Sequence, residues 1–416
     1  MRELRLVPAA AVAWLATLAV LFGQPWLLVG LVAFVLVRQR APGQAILCTA
    51  SGALFATVAA VRMHRAGQFR FGAEVTGRLT ADPIQTASGW MVRLSVPGYP
   101  AQLPVFLSEQ PEAWSGSLVT IHGQPGPANR VGVGQTVFSG DLTAHTHSWT
   151  AAVAANFRAI CDNGLIPGMV LGDTSLQSPE DKQLYIDTGL SHLSAVSGSN
   201  VAIVCAAAAL LVKGQRVRVG ASASALALFV ALVGWEPSVQ RATVAGVAGL
   251  LAVLNSSKME PLHALSLGVL FLLACDSDLA VNFGFALSVA ATVGIVALTP
   301  LLLRVLGTGI IARAVAVAIA ADIVTMPLIA LMTGRVSVVS VIANVLAAPV
   351  VPFITVVGLL AAALAQIGLG RPLVILIEPL ADWIHAVAAA MPLTTVEAGP
   401  IAVLLLGGWL IAALLR

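Results

Sequence analysis

The chain has 416 residues, of which 58% are hydrophobic and only 10% charged, with a mean hydropathy of +0.93. That much apolar surface excludes a water-soluble globular protein and indicates a polytopic membrane protein. The formal net charge of +3 is too small to argue for nucleic acid by itself, and Cys48, Cys161, Cys205 and Cys275 lie far apart without C-x-x-C or Cys/His pairing, which gives neither a disulfide framework nor a metal site.

Val7 to Phe22 and Trp26 to Val37 are apolar runs joined by Gly23-Gln24-Pro25. The second follows so closely that an uncleaved helical hairpin is expected rather than a signal peptide. Arg2, Arg5, Arg38 and Arg40 put both ends of the hairpin in the cytoplasm by the positive-inside rule, and Gln44 to Val61 then crosses outward. Arg62, Arg65 and Arg70 follow on the outer face, against that rule. Either the count of spans is off by one, or a long translocated domain overrides the local charge.

From about Phe71 to Thr146 the apolar runs shorten and β-branched residues alternate with polar ones, as in a soluble β domain. Strands are expected at Ala73 to Thr80, Trp90 to Val96, Gln102 to Leu107, Leu118 to Gly123 and Val137 to Thr143, with turn clusters such as Pro125-Gly126-Pro127 between them. Five short strands suit an OB-like barrel; a sandwich fragment or an unrelated barrel fits the same count. Phe69, Phe71, Trp90, Tyr99, Phe106 and Trp114 are interleaved with Arg65, Arg70, Arg78 and Arg93. Aromatics that stack on bases and arginines that track phosphates make a single-strand groove, so Arg65, Arg70, Arg78, Arg93 and Trp90 are DNA-binding candidates. Strand aromatics also serve as core, and Glu74, Asp82, Glu109, Glu112 and Asp141 nearly cancel the arginines.

Ala151 to Asp162 reads as an amphipathic helix, and Ser178-Pro179-Glu180-Asp181 as a helix start with a serine cap, proline in the first turn and acids at the positive end of the dipole. That helix leads into Thr188 to Ile203, T-G-L-S-H-L-S-A-V-S-G-S-N-V-A-I. Unsatisfied polar groups in hydrocarbon cost several kcal/mol, roughly, so Ser197-Gly198-Ser199-Asn200 reads as a helix interruption facing a cavity; the alternative is a capping loop just outside the bilayer. Further apolar runs follow, among them Ser238 to Leu254, Phe283 to Leu306, Ile310 to Met332, Val336 to Ala348 and Pro349 to Leu369, for about ten to twelve crossings in total.

Ionisable residues inside such runs are functional candidates, because a mid-bilayer charge costs roughly 2.5 to 3.5 kcal/mol. Arg241 sits one turn into a helix, where it lines a path or snorkels to the headgroups; Asp322 lies within Ile310 to Met332, with Arg313 or Arg335 as an alternative ion-pair partner. Asn282 and Asn344 read as hydrogen-bonding glue. Glu378, Asp382 and His385 share one helical face, as a proton relay, a metal pair or the wet face of an interfacial helix. His145-Thr146-His147 reads as linker. Ser194, Ser197 and His192 lack an oxyanion-hole sequence and an ordered third member, which argues against a hydrolase.

Several blocks together resemble the ComEC competence family of DNA-uptake channel proteins: Leu171-Gly172-Asp173, Ser178-Pro179, Thr188-Gly189-Leu190-Ser191-His192-Leu193-Ser194-Ala195-Val196-Ser197-Gly198, Pro237-Ser238-Val239-Gln240-Arg241-Ala242, Gly284-Phe285-Ala286-Leu287-Ser288, and Gly334-Arg335-Val336-Ser337 leading to Ala343-Asn344-Val345-Leu346-Ala347-Ala348-Pro349. The resemblance implies an inner-membrane channel for single-stranded DNA with an extracytoplasmic OB-fold domain. The fold class expected is a polytopic α-helical membrane protein with an inserted small all-β, OB-like domain: helices in 1–61, the β domain in 62–148 and a competence-type helical domain in 149–416. His192, Ser194, Ser197, Gly198, Ser199, Asn200, Arg241, Asp322 and Asn344 are its pore or transport candidates. The family's usual Gly-Leu-His-Val is Gly198-Ser199-Asn200-Val201 here, so no role carries over from that histidine. Neither cofactor nor catalysis is expected. The chain stops at Arg416 without H-x-H-x-D-H, so the metallo-β-lactamase-like nuclease of many members is expected to be missing and a separate protein to degrade the second strand. Expected partners are single-stranded DNA, membrane lipid, a DNA receptor, that nuclease and a cytoplasmic ATPase or helicase, with homo-oligomerisation left open. A small-solute transporter with its site at the same broken helix, and a membrane-embedded hydrolase, are the competing readings.

Overall fold

A computed structural model describes residues 5–38, 42–86, 89–111, 113, 115–146, 149–194, 198–233, 239–240, 243–244, 246–247, 260–391 and 395–414. In chain order its elements are α1 (Leu6–Leu21), α2 (Leu27–Arg38), α3 (Pro42–Gln68), β1 (Glu74–Leu79), β2 (Ile84–Thr86), β3 (Gly89–Ser95), β4 (Gln102–Leu107), β5 (Leu118–Pro127), β6 (Thr136–Thr146), α4 (Trp149–Arg158), α5 (Leu165–Leu171) and α6 (Pro179–Asp187). After a 3-10 turn, Ser191–Leu193, come α7 (Gly198–Leu210), α8 (Gln215–Val233) and α9 (Pro261–Cys275). A second 3-10 turn, Ser277–Val281, precedes α10 (Phe283–Leu306), α11 (Ile310–Thr333), β7 (Arg335–Ser337), α12 (Ser340–Ala347), α13 (Val351–Ala365), α14 (Arg371–Ala389), β8 (Thr395–Glu397) and α15 (Pro400–Leu414). The chain forms two units, Met1–Ala152 with Gly234–Phe285, and Val153–Val233 with Ala286–Arg416.

In the first unit α1 and α3 share a seam of small residues. Ala9, Ala13 and Ala16 are fully buried, and a Cβ on Gly52 would stand 3.0 Å from Val12 Cγ1. Small side chains let helix backbones approach closely in a solvent that offers no hydrophobic drive. Gln44 Nε2 donates to the Arg5 carbonyl at 2.7 Å, so α1 and α3 start side by side. Arg62, whose charge runs against the positive-inside pattern, is spent on structure: its guanidinium donates to the Pro100 carbonyl at 2.8 Å and to the Cys275 carbonyl, tying α3 to the β region and to the end of α9. Asp278 adds a second tie by accepting from Val133 N at 2.6 Å.

The strands form a six-stranded mixed sheet in the order β1-β5-β6-β4-β3-β2, with β1 also paired to β3 and with β4 parallel to β6. Strict alternation in β1 buries Val75 and Leu79, which join the fully buried Leu94, Leu103, Ile121 and Phe138. The short strand β2 adds to the five expected. β5 runs on through Pro125, Gly126 and Pro127, where a turn was expected. Beyond Gly123, whose N–H still reaches Ala73 O at 2.8 Å, it pairs with β6 alone, so the prolines' missing N–H groups face an open edge, where a strand tolerates them.

Among the described residues five helices, α3, α8, α10, α11 and α14, are long and apolar enough to cross a bilayer; α12 and α13, bent by 54° at a short break, make a sixth if taken as one span. This is fewer than the ten to twelve crossings expected. Part of the difference is length: the 16 residues of α1 and 15 of α15 rise only about 24 and 22 Å, short of the ~30 Å hydrocarbon core, while most of Ser238 to Leu254, expected as a further run, lies outside the described residues. Val336 to Ala348, expected as one apolar run, opens instead as β7, which pairs antiparallel with β8, and only then becomes helix.

Candidate functional site

The polar stretch after α6 is held by a short, wholly buried helix. Every residue of α5 from Leu165 to Leu171 is buried, and Gly172, at φ 80°, turns the chain out of it. Asp173 then accepts from Arg158 Nε at 2.7 Å, from Ser175 N at 3.0 Å and from Ser175 Oγ at 2.5 Å, a nearly buried ion pair with further hydrogen bonds on the carboxylate. Ser178 caps α6 as expected, accepting from Asp181 N at 3.0 Å. At its other end Leu190 N bonds to Tyr185 O at 2.8 Å and Gly189 N to Ile186 O at 3.1 Å, a Schellman ending that requires the left-handed Gly189, φ +74°.

The rest of the stretch lies over α5. A Cβ on Gly168 would stand 3.0 Å from the Ser194 carbonyl oxygen, and Asn200, 4% exposed, donates to the Met169 carbonyl at 2.9 Å. His192 is exposed with Nδ1 3.2 Å from Gly189 O, and Ser194 Oγ donates to Ser191 O at 2.8 Å. Gly198 and Ser199 belong to the first turn of α7; Ser197 and Arg241 lie outside the described residues.

Gly189 also meets the membrane helices of its own unit. A Cβ there would stand 2.5 Å from Ser340 Cβ and 3.5 Å from Ser337 Cβ. Ser340 Oγ donates to Asp322 Oδ2, and its carbonyl accepts from Asn344 Nδ2 at 2.9 Å. The Thr188 to Ser194 turn, Asp322 and Asn344 therefore converge on one residue, Ser340, which opens the broken span α12–α13. Sequence reasoning missed Ser340. Its only signal is a position four before Asn344 and nine before Pro349, in a run read as plain apolar helix.

Asp322 pairs with neither Arg313 nor Arg335; Ser340 is its partner. Glu378, Asp382 and His385 form a seam: Glu378 lies 3.8 Å from Arg371 and accepts from Asp162 N, Asp382 accepts from Asn163 Nδ2 at 2.7 Å, and His385 Nδ1 lies 3.3 Å from Tyr185 OH and 3.6 Å from Asp181. Burial, with Asp181 and Asp382 nearby, pushes the Tyr185 hydroxyl up to about 12, so it stays protonated beside the imidazole, and which of the two donates follows the His385 tautomer. Among the described residues no group of three His, Cys, Asp or Glu is placed to hold a metal ion.

In the β region, strand parity sorts the DNA-binding candidates. Arg78 pairs with Ser95, Arg93 with Pro104 and Met91 with Phe106, so Arg78, Arg93 and the 37% exposed Phe106 share the outward face, opposite Val92 and Leu94. Trp90 falls on the parity of the buried residues. Phe69, Phe71, Tyr99 and Phe138 form a chain of ring contacts, with centroids 4.8 to 6.4 Å apart; Tyr99 and Phe138 are buried, and Phe69 and Phe71 half-buried against them. Arg65 and Arg70 are exposed near the end of α3, Trp114 and His147 lie outside the described residues, and His145 is part of β6 rather than linker.

The Competence protein family model matches residues 169–416, more than half of the chain, including the Schellman turn, Asp322 and the broken span. The chain belongs to the competence protein family. No curated protein and no solved structure matches it. Membership points to a role in DNA uptake for transformation, and the five or six apolar spans fit a multi-pass membrane protein. The sheet of residues 74–146 lies outside the matched region of this competence protein.

Proposed function

We propose that this competence protein is the inner-membrane channel that passes single-stranded DNA into the cytoplasm. The polar stretch from His192 to Asn200, together with Arg241, Asp322 and Asn344, marks the path, and residues 62–148 form an OB-like platform on the extracytoplasmic side that receives the strand. The observation that carries this reading is the convergence, inside the family match, of the Gly189 turn and Asp322 on Ser340 at the head of a broken span. Broken helices in lipid are tolerated where they line protein or water, and transport sites are commonly built there. The OB-like reading is supported by β1 pairing with both β3 and β5 while β4 runs parallel to β6.

Deleting the protein from a naturally transformable host should abolish internalisation of labelled DNA, with unchanged uptake of amino acids and sugars, and restoring it should recover internalisation. Loss of solute uptake with DNA entry intact would overturn the reading. The platform has its own test in the purified full chain. Replacing Arg78 and Arg93 together by alanine removes two outward cations, so the slope of log affinity for single-stranded DNA against log salt should become shallower by about 1.4. An unchanged slope removes this face from the DNA path.

A further inference from the structure

The acid at the midpoint of α11 has the Ser340 hydroxyl as its hydrogen-bond partner and, among the described residues, no cation beside it. Asp322 Oδ2 accepts from Ser340 Oγ, and among the described residues no Lys, Arg or His nitrogen lies within 4.0 Å of it. Among the described residues the elements packed on α11 are α10, α12, β7 and α15. Their charged groups, with Arg313 of α11 itself, are Arg304 and Arg335, all three exposed; α12 and α15 carry none, and His192 beyond the Gly189 turn is exposed as well. Ser337, which meets the same Gly189, keeps a buried Oγ with no hydrogen-bond partner among the described residues.

The helix around Asp322 is tightly held. A Cβ on Gly294 would stand 2.4 Å from Ala320 O, and one on Gly407 3.2 Å from Ile323 O, so α10 and α15 lie against its backbone on either side of the acid. What can change here is the charge of the carboxyl. A metal cation would need roughly six oxygen ligands, and among the described residues the side-chain oxygen bonded to this carboxylate is the Ser340 hydroxyl.

We propose that Asp322 is a proton-exchange site whose two states lock and release the half-helix α12 against the Gly189 turn. Ionised, the carboxylate accepts the Ser340 O–H in a charge-assisted bond, roughly twice as strong as a neutral one. Taking a proton from hydronium leaves water and a carboxylic acid, whose own O–H is now a donor; the Ser340 bond weakens or reverses, and the first residue of the broken span is released. Giving the proton back restores the lock. Proton exchange stands on this geometry alone, whereas its coupling to strand passage rests on the channel reading above.

Infrared spectra of the purified full chain in lipid, taken between about pH 4 and about 9, test the site. A carboxylic-acid carbonyl band should titrate in the wild type, vanish in Asp322→Asn and move in frequency in Ser340→Ala. In transformable cells Asp322→Asn should lower DNA internalisation by about tenfold or more with surface-bound DNA unchanged, while Asp322→Glu keeps part of it. Spectra that Asp322→Asn leaves unaltered overturn the proton site. A titrating band combined with full uptake by Asp322→Asn overturns the coupling. A wild type that internalises no DNA defeats the channel reading and leaves the infrared result standing.

Discussion

Gly189→Val should abolish DNA internalisation and markedly lower the thermal midpoint of the purified protein. Two costs combine at this position. A β-branched residue at φ +74° carries backbone strain of roughly 1 to 3 kcal/mol, and its Cβ would be placed 2.5 Å from Ser340 Cβ, an overpacking of roughly another 1 to 3 kcal/mol. The steric part has a specific rescue. Gly189→Ala combined with Ser340→Gly removes the clashing Cβ, and should recover part of the stability lost in Gly189→Ala alone. It should not recover DNA internalisation, because the donor to Asp322 is gone. Equal stability of Gly189→Ala with and without Ser340→Gly would show that this contact does not limit the fold.

What could be read beforehand followed local periodicity. β4 and α10 have the bounds expected from alternation and from an uninterrupted apolar run, and the Ser178 cap is where serine, proline and two acids put it. Such signals reside in a few consecutive residues. β2, β7 and the proline-bearing end of β5 escaped because each is held by a single partner strand, whose register is a tertiary fact. The span count escaped for a different reason: hydropathy marks an apolar run without fixing how much of it is helix, whereas the break between α12 and α13 falls where Val336 to Ala348 and Pro349 to Leu369 were divided, at a proline.

The site was legible as an inventory and not as an arrangement. Asp322 was conspicuous as an acid in an apolar run, and Gly189 as part of the polar stretch Thr188 to Ile203, whose interruption was expected at Ser197 to Asn200; yet the residue that joins Asp322 and Gly189, Ser340, is unremarkable in sequence and far from Gly189 along the chain. In the β region alternation does show that Arg78 and Arg93 face outward, opposite the buried strand residues. It cannot show that Phe69, Phe71 and Tyr99 are drawn together with Phe138, so that their rings pack on one another, with Tyr99 buried and Phe69 and Phe71 half-buried.

Arg158→Leu should destabilise the protein by about 3 to 5 kcal/mol, the cost of leaving Asp173, with a side chain only 4% exposed, without its cation. The consequence reaches the site through α5. Asp173 follows directly on the Gly172 turn that ends this helix, and α5 supplies both the Gly168 surface beneath Ser194 and the Met169 carbonyl held by Asn200. Asp173→Leu in the same background removes the stranded charge, so the double variant should be more stable than Arg158→Leu alone, in a double-mutant cycle read by thermal unfolding in one detergent. Asn200→Leu, which strands the Met169 carbonyl, should cost roughly 1 to 3 kcal/mol and add independently of the ion pair. If Arg158→Leu unfolds within 1 kcal/mol, roughly, of the wild type, the ion pair does not anchor α5 and the turn above it must be fixed by the packing of Gly189 on Ser340.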